Sequence, residues 1–245
     1  MLYINWEEVA AATAIYSCTI VIVTWRFIKA IFQAREAIRD NLMVLSSNFL
    51  FIVSLVLRVA WIIISFPYMP LNNAQNILTI LSDSIQCLAL ALYIQQWFSV
   101  SIFKDIVLGK FDKILKKILY SIDGLIVIET IGLIVIECTD VMNSVLICNT
   151  IMCVTGITLS LMFILGGSRR MKVFTTSLPD PLLVRRKRIP LAIASFTAIT
   201  TEFFKQVFLL ISDVERSVAK WAIPLVAYAG PDCVLALVLV LSFGQ

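Results

Sequence analysis

The chain has 245 residues, 60% of them hydrophobic and 15% charged, with twenty Lys and Arg against sixteen Asp and Glu and no histidine. The charged share lies far below the roughly 25% of a soluble domain, and no polar block reaches the ~50 residues such a domain needs, so one membrane-embedded unit is expected. Without histidine, His-ligated zinc hydrolysis and Ser–His catalysis have no way to operate.

Met1 to Glu8 is too short and too acidic to be the basic leader of a cleavable signal peptide. A first apolar helix is expected over about 9–25, followed at once by Arg26, Lys29, Arg35 and Arg39. The second, about 42–66, carries Arg58, and the segment after it, from Pro67 to Asn76, has no charge. The third is the clearest: Ile77 to Phe103 is twenty-seven residues with Asp83 as its one charge, longer than the ~20 residues that cross a ~30 Å hydrocarbon core. A basic amphipathic stretch from Lys104 to Lys117 leads into a fourth helix, about 117–136, with Asp123 and Glu129. An acidic turn (Glu137, Asp140) precedes the fifth, about 144–167. The longest basic loop, Arg169 to Arg188, is broken by Pro179 and Pro181. The sixth helix, about 189–211, holds Glu202 and Lys205, and the seventh, about 221–243, holds Pro231 and Asp232. The expected fold is therefore an all-α membrane protein, a seven-transmembrane helix bundle filling residues 1–245 as a single domain.

Charge sets the orientation. Sixteen of the twenty Lys and Arg fall in the three connections assigned to the inner side, and only Arg216 and Lys220 lie outside. The positive-inside rule then puts the N-terminus out and the C-terminus in. In the inner connections Arg169, Arg170, Lys172, Arg185, Arg186, Lys187 and Arg188 read as a stop signal attracted to anionic lipid, or as a docking site for a cytosolic protein.

Ionisable residues inside spans are costly and mark functional sites by default. At 1.5 Å per residue, Arg58, Asp83, Glu129 and Lys205 lie about 9–12 Å from the outer ends of their helices, and Glu202 and Asp232 about 14–17 Å. These six charges are expected in one slab of the outer half, as structural ion pairs or as a polar cavity that binds a small-molecule ligand. Arg58 and Asp83 sit at matching depth on consecutive antiparallel helices and are expected to pair. Pro231 removes the bond to the Ala227 carbonyl and should kink the seventh helix, turning Asp232 inward. Two carboxylates in one dry site need a cation between them, which predicts a Glu202–Lys205–Asp232 cluster as the floor of an outward cavity. Asp123, near the inner end of its helix, is expected to snorkel or cap.

The six cysteines fall mostly within spans and read as packing residues rather than a disulfide framework. No glycosylation sequon, Gly-rich phosphate loop or Tyr-Asp with Gly-x-Gly-Asp pair occurs, and the last helix has no lysine for a retinal Schiff base. No enzyme activity, cofactor, metal or nucleic-acid partner is expected. The layout is that of G-protein-coupled receptors, but the third helix ends Ser-Val-Ser-Ile-Phe-Lys104-Asp without Asp/Glu-Arg-Tyr, and the seventh lacks Asn-Pro-x-x-Tyr.

Three places carry a closer likeness: Leu57-Arg58-Val-Ala-Trp61, Leu92-Tyr-Ile-Gln-Gln-Trp97 before a short basic loop, and Tyr228-Ala-Gly-Pro231-Asp-Cys-Val-Leu235. In these the chain resembles the eukaryotic THH/TOM-type (tobamovirus-multiplication) family and its animal receptor-like relatives, although here the acid, Asp232, follows the proline instead of preceding it. The resemblance implies a plasma-membrane or vacuolar/lysosomal endomembrane protein that recruits cytosolic partners, small GTPases among them. A ligand receptor and a small-solute or proton transporter are the competing classes. The inner halves of the helices, nearly uncharged apart from Asp123, argue against transport, and no inverted repeat is visible.

Overall fold

Apolar runs this long leave the backbone one way to satisfy its own hydrogen bonds away from water, and the chain takes it. The structure, a computed structural model, describes residues 6–33, 38–65, 73–104, 110–139, 144–177 and 228–243, together with 189, 192–194, 196–198, 200–201, 203–205 and 207. Apart from a turn at Thr139 all of these are helical, and there is no strand among the described residues. The helices are α1 (Trp6–Gln33), α2 (Ile38–Ser65), α3 (Asn73–Lys104), α4 (Lys110–Cys138) and α5 (Ser144–Ser177), then the helical residues between 189 and 207 (α6), then α7 (Gly230–Phe243).

Four stretches of the described residues are long and apolar enough to cross a membrane: Val9–Phe32, Leu42–Ile64, Ala74–Gln96 and Ile147–Gly166. Gly230–Val240 is apolar but shorter, and the expected outer part of that helix, 221–227, lies outside the described residues. α4 is twenty-nine residues long but carries three acidic residues over its last sixteen, Asp123, Glu129 and Glu137.

Several helices outrun the bounds expected from hydropathy. α1 continues to Gln33 and α4 starts at Lys110, because Arg, Lys, Gln and Leu are good helix formers once a helix is nucleated. α5 passes through Gly166 and Gly167 and ends at Ser177. α2 is described to Ser65.

α3 is the centre of the bundle. It packs against α2, α4 and α5, while α1 packs against α2 and α7, and α2 also meets α7. Of the apolar stretch in α3, 61% is buried, against 17% in α1. Small residues bring α2 and α3 together. Ser54 Oγ donates to the Ser82 carbonyl at 2.9 Å, Ser82 Oγ returns the bond to the Ser54 carbonyl at 3.0 Å, and Ser47 Oγ reaches the Ala89 carbonyl at 2.6 Å. Lipid offers no hydrophobic drive for helices to associate, so close packing and such bonds must supply it.

The polarity is inverted relative to a protein dissolved in water. Val21, Trp25, Ile128, Ile131, Leu165 and Phe196 are exposed, while Asn48, Ser54, Arg58, Asp83, Lys205 and Asp232 are buried. Isolated hydroxyls are folded back onto their own helices, as in Thr19 to the Ile15 carbonyl (2.8 Å) and Thr158 to the Val154 carbonyl (2.7 Å). Such a surface is consistent with an integral membrane protein, whose solvent is hydrocarbon.

Candidate functional site

Four ionised side chains from four helices meet in the interior: Arg58 of α2, Asp83 of α3, Lys205 of α6 and Asp232 of α7. They are 0%, 6%, 1% and 2% exposed respectively. Arg58 donates through Nη2 to Asp83 Oδ1 and through Nε to Asp232 Oδ2, the latter at 3.1 Å. Lys205 Nζ donates to Asp83 Oδ1 at 2.5 Å and to Asp232 Oδ1 at 2.7 Å. The contacts close a ring in which cation and anion alternate, so its net charge is zero. Desolvation of each ion is met by two opposite charges instead of one, the condition under which buried ions are tolerated.

A second set of groups finishes the ring. Tyr16 of α1 donates its hydroxyl to Asp232 Oδ2 at 3.1 Å, and Lys205 Nζ lies 3.5 Å from Gln86 Oε1. The Tyr228 ring sits under Arg58, 4.1 Å from Cζ, and 5.7 Å from Lys205 Nζ, a cation–π seat for both cations. Trp61 packs edge-on against Tyr228 at 5.3 Å. Arg58 Nη1 is buried with no partner among the described residues.

Local backbone explains how Asp232 reaches the ring. Tyr228 and Ala229 form a π-type turn at the entry to α7, and Pro231 follows without an N–H to donate. Asp232 follows Pro231 in α7 and reaches the ring from there.

The six expected ligand-site residues have three different outcomes. Arg58, Asp83, Lys205 and Asp232 come together as one ring, in which the expected Arg58–Asp83 pair and the Lys205–Asp232 contact of the expected Glu202–Lys205–Asp232 cluster are joined. Lys205 is long enough to bridge both carboxylates, which depth along each helix does not reveal. Glu129 is not in the ring: it is half-buried on α4, with both oxygens 2.8 Å from Thr155 Oγ1 of α5. Glu129 bonds away from the ring because α4, which carries it, packs against α3 and α5. Glu202 lies outside the described residues.

Asp123 neither snorkels nor caps. It accepts a hydrogen bond from Gln95 Nε2 at 2.7 Å across the contact between α4 and α3. Arg169, Arg170 and Lys172 ride on the part of α5 beyond Gly166, and Arg185, Arg186, Lys187 and Arg188 lie outside the described residues. Tyr16, Gln86 and Tyr228 were not among the expected site residues. Their signal is visible in retrospect, since a tyrosine or glutamine within an apolar span must find a polar partner inside the bundle.

Compared with known proteins, the chain matches no family model, no curated protein and no solved structure.

Proposed function

We propose that the chain is a receptor-like integral membrane protein of seven spans, with its N-terminus outside and its C-terminus in the cytosol. A small molecule enters from the outer side and acts on the charge ring, and cytosolic partners dock on the basic inner segments. The ring carries this reading. It is a costly interior feature that membrane insertion does not require, and it joins α2, α3, α6 and α7, with α1 attached through Tyr16. A ligand that competes for any one of its bonds therefore changes the fit of four helices at once. Among the described residues of the ring, Arg58 Nη1 is a donor without a hydrogen bond, and the four ring charges sum to zero, so the ligand class is a small molecule with a hydrogen-bond acceptor and no net charge.

A membrane scaffold for small GTPases is the second reading, supported by α5. That helix runs eleven residues beyond Gly166, about 16 Å at 1.5 Å per residue, and holds Arg169, Arg170 and Lys172 on a preformed rod. The likeness to the THH/TOM-type family supports partner recruitment at the plasma membrane or a vacuolar/lysosomal endomembrane. Proximity labelling from the C-terminus tests both. Cytosolic GTPases or their regulators are expected among the neighbours, with the yield falling in the Arg169→Gln/Arg170→Gln/Lys172→Gln variant. In a receptor, Arg58→Gln also changes the neighbour set; in a pure scaffold it does not. Labelling confined to proteins of the outer side defeats the proposal.

A further inference from the structure

Away from the ring, the acidic side chains of α4 take neutral partners. Asp123 accepts from Gln95 and Glu137 from Asn76, each through an amide N–H of α3. Glu129 instead turns to α5 and meets a hydroxyl, with both its oxygens 2.8 Å from Thr155 Oγ1. That hydroxyl has one hydrogen to donate. A carboxylate would make the two contacts share it, whereas a carboxylic acid brings a second hydrogen and donates it to Oγ1.

No cation among the described residues answers Glu129. α5 has no charged residue between Ser144 and Gly167, and its Cys148 and Cys153 are buried thiols. On α3, Asp83 is committed to the ring, Cys87 is buried, and Tyr93 donates its hydroxyl to Asn48. On α4 itself, Asp123 and Glu137 stand six residues before and eight after. The neighbouring surface is apolar and open: Leu125, Ile128 and Val154 are 61%, 67% and 61% exposed. Gly132, about one turn on, has empty space where a side chain would stand. An ion placed there has neither water nor a counter-charge, so the neutral form is the cheaper one. With Glu129 neutral, the thirteen residues from Gly124 to Ile136 carry no charge.

We propose that Glu129 is a proton-binding site, a neutral carboxylic acid at the lipid-facing seam of α4 and α5, open to modification by lipophilic carboxyl-directed reagents. From the seven-span reading it takes only that α4 lies in the bilayer.

The test is carbodiimide labelling of the full chain in sealed vesicles. The acid passes its proton to a carbodiimide nitrogen while its oxygen bonds to the central carbon. With water excluded, the acyl group then shifts from that oxygen to a nitrogen. Nothing leaves, so the product is the protein plus one reagent mass. Dicyclohexylcarbodiimide should give one adduct, mapped to Glu129 by peptide mass spectrometry, and none on the charge-paired Asp83 and Asp232. Its yield at about pH 7 should stay within about three-fold of that at about pH 5, where a glutamate of ordinary pKa, about 4.3, would lose about 80-fold. Glu129→Gln, which keeps a neutral group beside Thr155, should lose both the adduct and the infrared carbonyl band of a protonated carboxyl. If that variant fails to fold, the pH comparison on the unaltered chain decides. A loss of about ten-fold or more between the two pH values overturns the proposal. So does an unaltered protein in which Glu129 is not labelled. Labelling of Glu129 by a water-soluble carbodiimide as readily as by the lipophilic one would take α4 out of the bilayer and defeat the span reading too. Failure with both reagents defeats the proton site alone.

Discussion

Each carboxylate of the ring answers to two cations, and this makes single and double substitutions behave differently. Arg58→Leu leaves Asp83 and Asp232 sharing Lys205 alone, with one buried negative charge uncompensated, and is expected to destabilise the protein by about 3–5 kcal/mol. Arg58→Leu combined with Asp83→Leu restores neutrality around the 2.7 Å Lys205–Asp232 contact. The double variant should therefore cost clearly less than the sum of the singles, as read from denaturant unfolding of the purified protein; additivity would show that the ring is not a unit. Tyr16→Phe removes one hydrogen bond to a charged acceptor, the Asp232 carboxylate. The expected loss is about 1.5–3 kcal/mol, and a loss near zero would mean that Asp232 has a sufficient set of partners without it. Arg58→Lys is no conservative change, because an ammonium cannot direct two fixed donors at Asp83 and Asp232 together.

Among the elements, the α2–α3 seam has the most specific packing. Ser54 and Ser82 exchange hydrogen bonds with each other's carbonyls across a contact that only small side chains permit. Ser82→Leu should separate the helices and cost about 1–3 kcal/mol through overpacking. Ser82→Ala keeps the close approach and gives up a bond worth about 0.6 kcal/mol. Comparing the two by thermal unfolding separates steric fit from hydrogen bonding, and equal losses would count against a packing role. The α7 entry is a second such place. Its π-type turn and Pro231 set the direction of Asp232, so a change there should be felt at Arg58 and Lys205 rather than at the lipid-facing surface.

For the whole molecule the decisive quantity is orientation. Sixteen Lys and Arg in the expected inner connections against two outside predict that a reporter fused after Gln245 is cytoplasmic and one placed before Met1 is not. Both reporters on the same side would remove the seven-span reading while leaving the four long apolar helices untouched. Neutrality of the ring has a consequence at this scale too. Helices that each carry a lone buried ion insert at a penalty of about 2.5–3.5 kcal/mol per ion, and the penalty is offset only when α2, α3, α6 and α7 have all assembled. The ring thus favours complete bundles over partial ones.

The sequence by itself determined that the chain is helical and built for hydrocarbon, and it marked Arg58, Asp83, Glu129, Glu202, Lys205 and Asp232 as costly ionisable residues within apolar segments. Apolar length, charge sparsity and depth along a helix are local properties, legible one segment at a time. Tertiary structure alone decided which charges meet. Depth gives a residue's height but not the side of the bundle on which its helix stands. For that reason Glu129, expected from the sequence at the height of Asp83, bonds to Thr155 on α5 while Asp83 enters the ring. Tyr16 and Asp232 lie 216 residues apart and share a hydrogen bond. Only the packing of α1 against α7 brings them together, and no periodicity within either helix encodes it.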